Sequence, residues 1–159
     1  MNLLKTQYNF IKDSRRVLLD YCSTISYEDF TKVNDNFGGR SIEFLFLHII
    51  NTYKYWLKDF PEQADSLYIN YVSKLNLGKI RKHFTETDNI VSEFLEKYST
   101  EMNNRIMRTI QNKNISLTAT PLQLFTHATM HEFHHKGQIL TMSRMLGYTP
   151  VDTDIIRFE

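Results

Sequence analysis

The stretch PLQLFTHATMHEFHHKGQILTMSRML, residues 121–146, decides the fold, because it predicts one long helix that carries histidines on its inner face. Thr120 is a favourable N-cap residue and Pro121 suits the first helical position, while Gly147 suits the C-terminal end. With about 100° of rotation per residue, one stripe of this helix lies within about 60° of His131. The other members of the stripe are Leu124, Ala128, His135, Gln138 and Met142. The sequence therefore predicts that two imidazoles face the core.

Three further helices are predicted upstream, where apolar residues recur at helical spacing and Gly and Pro are few. They cover residues 2–22, a segment from Ser41 to about Asp59, and a segment from about Leu77 to Tyr98. Four long helices in a chain of 159 residues predict an all-α fold, a single four-helix-bundle domain spanning residues 1–159.

The connections between these helices carry weaker signals. Phe60-Pro61 is expected to stop the second helix, because the residue before a proline is biased away from helical backbone. A short helical piece is expected at Ser66–Leu75. Within residues 103–118, apolar residues flank Asn112-Lys113-Asn114, which predicts a small hairpin between the third and fourth helices.

Composition argues against nucleic acid and membrane partners. Nineteen basic and eighteen acidic residues give a net charge of +1, whereas nucleic-acid binders normally carry a clear basic excess. The single cysteine, Cys22, excludes an internal disulfide and fits a reducing compartment. Because we find neither a signal-peptide core nor a run of the ~18 apolar residues that a membrane span needs, we expect a cytoplasmic protein.

Three histidines indicate a metal site in the bundle core. His131 and His135 are four residues apart, so their side chains project from the same helical face. His48 lies on the inward face of the second helix and supplies a third imidazole. Three protein ligands leave coordination positions open, as in a catalytic metal site. The alternative is that these are core histidines that hydrogen-bond to backbone or tyrosine.

The residues around this set offer candidate catalytic groups. Gln138 follows His135 by one turn and suits a hydrogen bond to a metal-bound water or a bridge to a neighbouring helix. His134 and His127 flank the stripe, where each suits a proton carrier, a residue that orients a ligand, or a solvent-facing position.

The segment 131–135 also matches His-Glu-x-x-His, the zinc protease pattern in which Glu132 acts as general base. A third protease ligand has to come from the last residues of the chain, through Asp152, Asp154 or Glu159. However, Glu132 is predicted to point about 100° away from His131, and the chain is too helical to form the sheet of a peptide cleft. We therefore favour the three-histidine site.

The motif H-E-F-H-H-K-G-Q at residues 131–138, followed by an apolar helix, Leu-Gly-Tyr-Thr-Pro at 146–150 and Asp-Thr-Asp-Ile-Ile at 152–156, resembles the signature of the DinB/YfiT-like superfamily. Residues 46–50, Phe-Leu-His-Ile-Ile, resemble the first metal-ligand helix of that superfamily. The resemblance covers essentially the whole chain. It departs from the usual pattern at His134, where an aromatic or small residue is more common.

The resemblance implies an up-down-down-up four-helix bundle that holds a divalent ion on His48, His131 and His135. Zinc or nickel is the metal it implies, while the ligand type also suits iron or copper. It further implies a homodimer and a small-molecule substrate, with relatives that use low-molecular-weight thiols.

The leading hypothesis is thus a metal-dependent transferase with a thiol cosubstrate. The alternatives are a hydrolase or isomerase on the same site, with His134 or Glu132 as proton carrier, and a non-enzymatic metal-binding stress-response protein.

Overall fold

A computed structural model of the chain describes residues 3–110 and 115–157. The elements in chain order are α1 (Leu3–Cys22), α2 (Tyr27–Thr31), a 3₁₀ turn (Asp35–Phe37), α3 (Ile42–Lys54), a π-helical turn (Tyr55–Asp59), α4 (Phe60–Glu62), α5 (Leu77–Lys97), β1 (Ile106–Ile110), β2 (Ile115–Ala119) and α6 (Pro121–Met145). The four long helices α1, α3, α5 and α6 enclose one apolar core. The predicted all-α bundle with a small hairpin is confirmed.

The predicted starts of the second and fourth long helices are confirmed, and so is the predicted end of the fourth. The Ser41 hydroxyl accepts a hydrogen bond from the Phe44 N–H at the start of α3. Thr120 and Gln123 form a reciprocal capping box at the start of α6. Gly147 adopts a φ of 90° just after α6, a left-handed conformation that favours glycine.

The second long helix runs further than the sequence predicted. α3 continues through the π turn into α4, so Phe60-Pro61 lies inside the last turn instead of ending the helix. A proline ring clashes with the carbonyl four residues earlier in a regular helix. The π turn, closed by a hydrogen bond from the Phe60 N–H to the Tyr55 carbonyl, widens the backbone just before Pro61.

The expected helical piece at Ser66–Leu75 is wrong, because this segment is extended with a turn at 71–73. Its backbone groups bond to side chains of the preceding helix instead: the Asn51 amide both donates to the Ile69 carbonyl and accepts from the Ile69 N–H. The loop is thereby fixed along α3.

The polar stretch after α1 contains two short elements that the sequence reading did not predict, α2 and the 3₁₀ turn. Each begins at a local side-chain cap, Ser26 for α2 and Asn34 for the 3₁₀ turn.

The hairpin pairs β1 with β2 in antiparallel register, with Ile106 opposite Ala119. Its predicted turn at Asn112–Asn114 lies outside the described residues.

A buried ionic network joins the four long helices. Arg15 of α1 donates two hydrogen bonds to the Glu132 carboxylate of α6 and one to Asp88 of α5. Tyr53 of α3 donates to the same Glu132 carboxylate, at 2.6 Å, and Tyr8 donates to Asp88. Because each charged group meets an opposite charge and hydrogen-bond partners, the network is compatible with burial.

Across the two described ranges, no helix is long and apolar enough to cross a membrane.

Candidate metal centre

α3 and α6 pack side by side and place three imidazoles at one point. The Nε2 atom of His131 lies 3.0 Å from the Nε2 atom of His48 and 3.0 Å from that of His135. One ligand atom from each residue lies within 4.8 Å of the other two. Two nitrogens bound to one ion at about 2.0–2.1 Å stand about 2.9–3.4 Å apart for angles between 90° and tetrahedral. The observed separations fit ligands of a common ion.

The protonation state of the cluster suits metal binding. Burial is the main cause that lowers the pKa of His131 and His135 to about 4 each, and the neighbouring histidines lower it further. The pKa of His48 is also lowered, first by burial and then by the positive charge of Arg40. Neutral imidazole is the form that binds a metal, so the cluster is in its ligand form near neutral pH.

Hydrogen bonds on the far side of the rings orient two of the ligands. The Nδ1 atom of His135 lies 2.6 Å from the side-chain carbonyl oxygen of Gln138. Because that oxygen only accepts, the Nδ1 atom carries the proton and the Nε2 lone pair points into the cluster. The Nδ1 atom of His48 lies 3.3 Å from the Tyr71 hydroxyl, which contributes to holding that ring.

The donor set therefore fits a divalent ion. Three neutral imidazoles with converging nitrogens and at least one fixed tautomer match the ligand type of zinc, nickel, iron or copper, without selecting one of them. Three converging nitrogen lone pairs also repel one another unless a cation lies between them. The predicted site is thus assembled from residues 83 positions apart, His48 and His131.

Glu132 does not face the cluster. Its carboxylate is 5% exposed and accepts two hydrogen bonds from Arg15 and one from Tyr53. A zinc protease needs this carboxylate beside the metal-bound water, so the His-Glu-x-x-His match does not correspond to that arrangement. Asp152 and Asp154 are exposed, with Asp154 4.0 Å from the Lys136 ammonium; Glu159 lies outside the described residues.

The family model of the DinB family matches residues 1–159. The chain belongs to the DinB family. No curated protein matches the chain. The family match extends over the three-histidine cluster and over every element that positions it.

Two more histidines border the cluster of this DinB protein, and both are exposed. His127 stacks on His131 with ring centroids 5.8 Å apart and contacts Trp56 edge to face at 4.9 Å. The Nε2 atom of His134 lies 3.2 Å from the Gln138 amide nitrogen. Gln138 therefore bridges His134 and His135 within α6.

Two surface spaces border the histidine cluster. A cavity of about 300 Å³ lies beside His48, with walls from the π turn and from the loop that follows α4. An open, largely apolar groove of about 630 Å³ lies beside His131, and His127, Met130 and His134 line it. Trp56 lines the cavity and His127 lines the groove, and their rings contact each other. Each space thus includes one imidazole of the cluster in its wall.

The sequence reading missed Tyr71 and Arg15 as residues that support the site. Tyr71 lies in a loop without periodic spacing, so only the folded chain places its hydroxyl near His48. Arg15 lies on the inner face of α1. The sequence does give one indication of its role, because it places a charged residue at a helical position where an apolar residue is expected. A further histidine, His83 of α5, lies away from the site; it is half-buried and pairs with Glu86.

Proposed function

We propose that this DinB-family protein is a metal-dependent transferase that uses a low-molecular-weight thiol as cosubstrate. The observation that carries the proposal is the pair of spaces that border the histidine cluster, one lined by His48 and the other by His131. A transferase must hold two reactants beside one activating centre, and two separate approaches to one cluster suit that requirement.

The thiol has to come from outside the chain. Cys22 is the only cysteine of the sequence and is 2% exposed in the core. Burial raises the pKa of its thiol to about 12, so it is protonated near neutral pH. Since the thiolate is the nucleophilic form, Cys22 is inert and a small thiol must supply the sulfur.

In this proposal the three imidazoles hold the ion, and the ion supplies positive charge that lowers the pKa of a thiol near it. The thiol proton passes to His134, an exposed imidazole at the edge of the open groove. The sulfur then forms a bond to an electrophilic carbon of the second substrate, and the leaving group departs with the electron pair of the broken bond. Gln138 keeps His135 in its ligand tautomer throughout.

The remaining parts of the proposal rest on ligand chemistry and family resemblance. Zinc or nickel is the proposed metal, with iron or copper as alternatives that suit imidazole equally by ligand type. A homodimer in the cytoplasm follows from the family resemblance and from the single, reduced cysteine.

The test is a turnover assay with protein loaded separately with zinc, nickel or cobalt. 1-Chloro-2,4-dinitrobenzene serves as electrophile, and 2-mercaptoethanol, cysteine and N-acetylcysteine serve as thiols. We expect metal-dependent and thiol-dependent release of chloride. His135→Ala should abolish it, whereas His83→Ala, a change at a histidine outside the cluster, should leave it intact.

Two outcomes would replace the proposal. Thiol-independent hydrolysis of a p-nitrophenyl ester that His134→Ala abolishes would establish the hydrolase alternative. Absence of turnover with every metal and thiol, together with metal-dependent stabilisation, would establish a non-enzymatic metal-binding protein.

A further inference from the structure

The cavity beside His48 has walls made largely of aromatic rings. Tyr55 and Trp56 come from the π turn, and Tyr68 and Tyr71 come from the loop after α4. Its volume of about 300 Å³ lies at the lower end of the range of about 300–1,000 Å³ typical of small-molecule sites. π-helical turns occur frequently at functional sites, and this one delivers two adjacent rings to the same cavity.

The walls are held in place by contacts outside the cavity. The Tyr68 hydroxyl donates to the fully buried carboxylate of Asp59. Tyr71 stacks on Phe44 with ring centroids 4.5 Å apart, and Trp56 packs against Phe60 at 5.4 Å. Tyr68 and Tyr71 are nevertheless about 40% exposed (42% and 39%). The rings are therefore ordered and accessible, which suits a preformed binding site and not a collapsed core.

The charges around the cavity determine which class of small molecule, or guest, it favours. Its described lining contains no lysine, arginine, aspartate or glutamate side chain, so an anionic guest finds no countercharge in the walls. The Lys54 ammonium lies 5.8 Å from the Tyr68 ring centroid and the Arg108 guanidinium carbon lies 5.6 Å from that of Tyr55. Both cations already bond to oxygen atoms of the protein, Lys54 to the Leu67 carbonyl and Arg108 to the Asp65 carboxylate, so they do not pair with an anionic guest. Their positive charge disfavours a cationic guest despite the aromatic walls.

We propose that this aromatic cavity binds an uncharged, planar, electron-poor group, such as an activated aryl ring, and presents it to the histidine cluster. The faces of tyrosine and tryptophan rings are electron-rich, so they stack favourably on an electron-poor ring. The proposal deepens the proposed function, on which it rests, by naming the class of the second substrate. With an activated aryl halide, the thiol sulfur bonds to the ring carbon and the halide leaves with its electron pair.

The test measures binding alone, on the full chain without metal or thiol. Trp56 is the only tryptophan, so its indole N–H gives one signal in a ¹⁵N–¹H correlation spectrum. The probes are three benzene derivatives that differ in charge: neutral 1,3-dinitrobenzene, dianionic isophthalate and cationic phenyltrimethylammonium. We expect 1,3-dinitrobenzene to shift the Trp56 signal saturably and to bind at least about tenfold more tightly than either charged probe.

Matched variants assign the binding to the rings. Tyr71→Leu should weaken 1,3-dinitrobenzene binding by roughly 3- to 10-fold, the effect of losing one aromatic contact. Tyr71→Phe keeps the ring without the hydroxyl and should retain wild-type affinity. Tyr27→Leu, a change at an exposed tyrosine that does not line the cavity, should also retain it.

The proposal is overturned if Tyr71→Leu binds 1,3-dinitrobenzene as wild type does, or if a charged probe binds as tightly as the neutral one. Because metal and thiol are absent, these results do not depend on catalysis. Probe binding without thiol-dependent turnover would sink the transferase proposal and leave the cavity assignment standing. Turnover without selective probe binding would support the transferase proposal and overturn the cavity assignment.

Discussion

Replacing Glu132 by glutamine separates the role that the structure gives this residue from the role that the protease motif suggests. In the structure, Glu132 Oε1 accepts from Arg15 Nε at 2.7 Å, and Oε2 accepts from Arg15 Nη2 at 2.9 Å and Tyr53 at 2.6 Å. Glutamine keeps the shape, removes the charge and turns one acceptor into a donor. The Arg15 guanidinium, 4% exposed, then faces a donor and keeps only Asp88 as its carboxylate partner.

Removing one partner of a buried ion pair costs about 3–5 kcal/mol. Asp88 still compensates part of the Arg15 charge, so we expect about 3 kcal/mol for Glu132→Gln, the lower end of that range. In a domain of this size, about 1 kcal/mol corresponds to about 2–4 °C in Tm. The expected loss is therefore about 6–12 °C, with metal affinity unchanged because Glu132 does not face the cluster.

The assay is urea unfolding followed by circular dichroism in the presence of a chelator, combined with a zinc titration of the folded protein. Glu86→Gln is the control, an exposed carboxylate on α5 that pairs with His83, and it should change stability by less than about 0.5 kcal/mol. A loss of less than about 1 kcal/mol for Glu132→Gln would contradict the role of this carboxylate in the buried ionic network. Unchanged stability together with zinc binding at least about tenfold weaker would instead assign Glu132 to the metal site.

Three further predictions follow from the site and the core. Added zinc at about 100 times its Kd should stabilise the wild type by about 2.7 kcal/mol in thermal unfolding, while His48→Ala should lose this stabilisation and His83→Ala should keep it. Gln138→Leu should weaken zinc binding by about 10-fold or more in a competitive chelator titration, because the His135 ring loses its orienting acceptor; unchanged affinity would contradict that role. The raised pKa of Cys22 favours the protonated thiol in the folded state, so its stability contribution is complete below the unfolded pKa of about 8.5 and is lost as pH rises from there to about 12. Ellman's reagent should accordingly react at pH 8 only after urea unfolds the protein, and rapid reaction of the folded form would show that Cys22 is accessible.

The local sequence was sufficient to predict those features that depend only on residues close together in the chain. The caps at Ser41 and Thr120 and the stop at Gly147 were predictable, because a helix end is stabilised by side chains within a few positions of it. The shared direction of His131 and His135 followed from the pitch of one helix. The same pitch correctly predicted that Glu132 turns away from them.

Features that depend on irregular backbone or on loops could not be predicted from the local sequence. The continuation past Phe60-Pro61 needed a π turn, which has no simple periodic signature. The segment 66–75 was misjudged because its backbone groups bond to Asn51 and Asp59, side chains that sequence spacing does not bring near. Tyr71 joined the site for the same reason.

The sequence by itself determined that one helix presents two imidazoles on its core-facing stripe, and that another helix carries a third inward histidine. Tertiary structure decided that these three meet, because the contact between His48 and His131 closes a separation of 83 residues and depends on how α3 packs on α6. It also decided that Glu132 belongs to the ionic network of Arg15 and that two spaces reach the cluster. Helical pitch is a local property fixed by hydrogen bonds four residues apart, whereas the meeting of side chains on different helices is fixed only when the whole core packs.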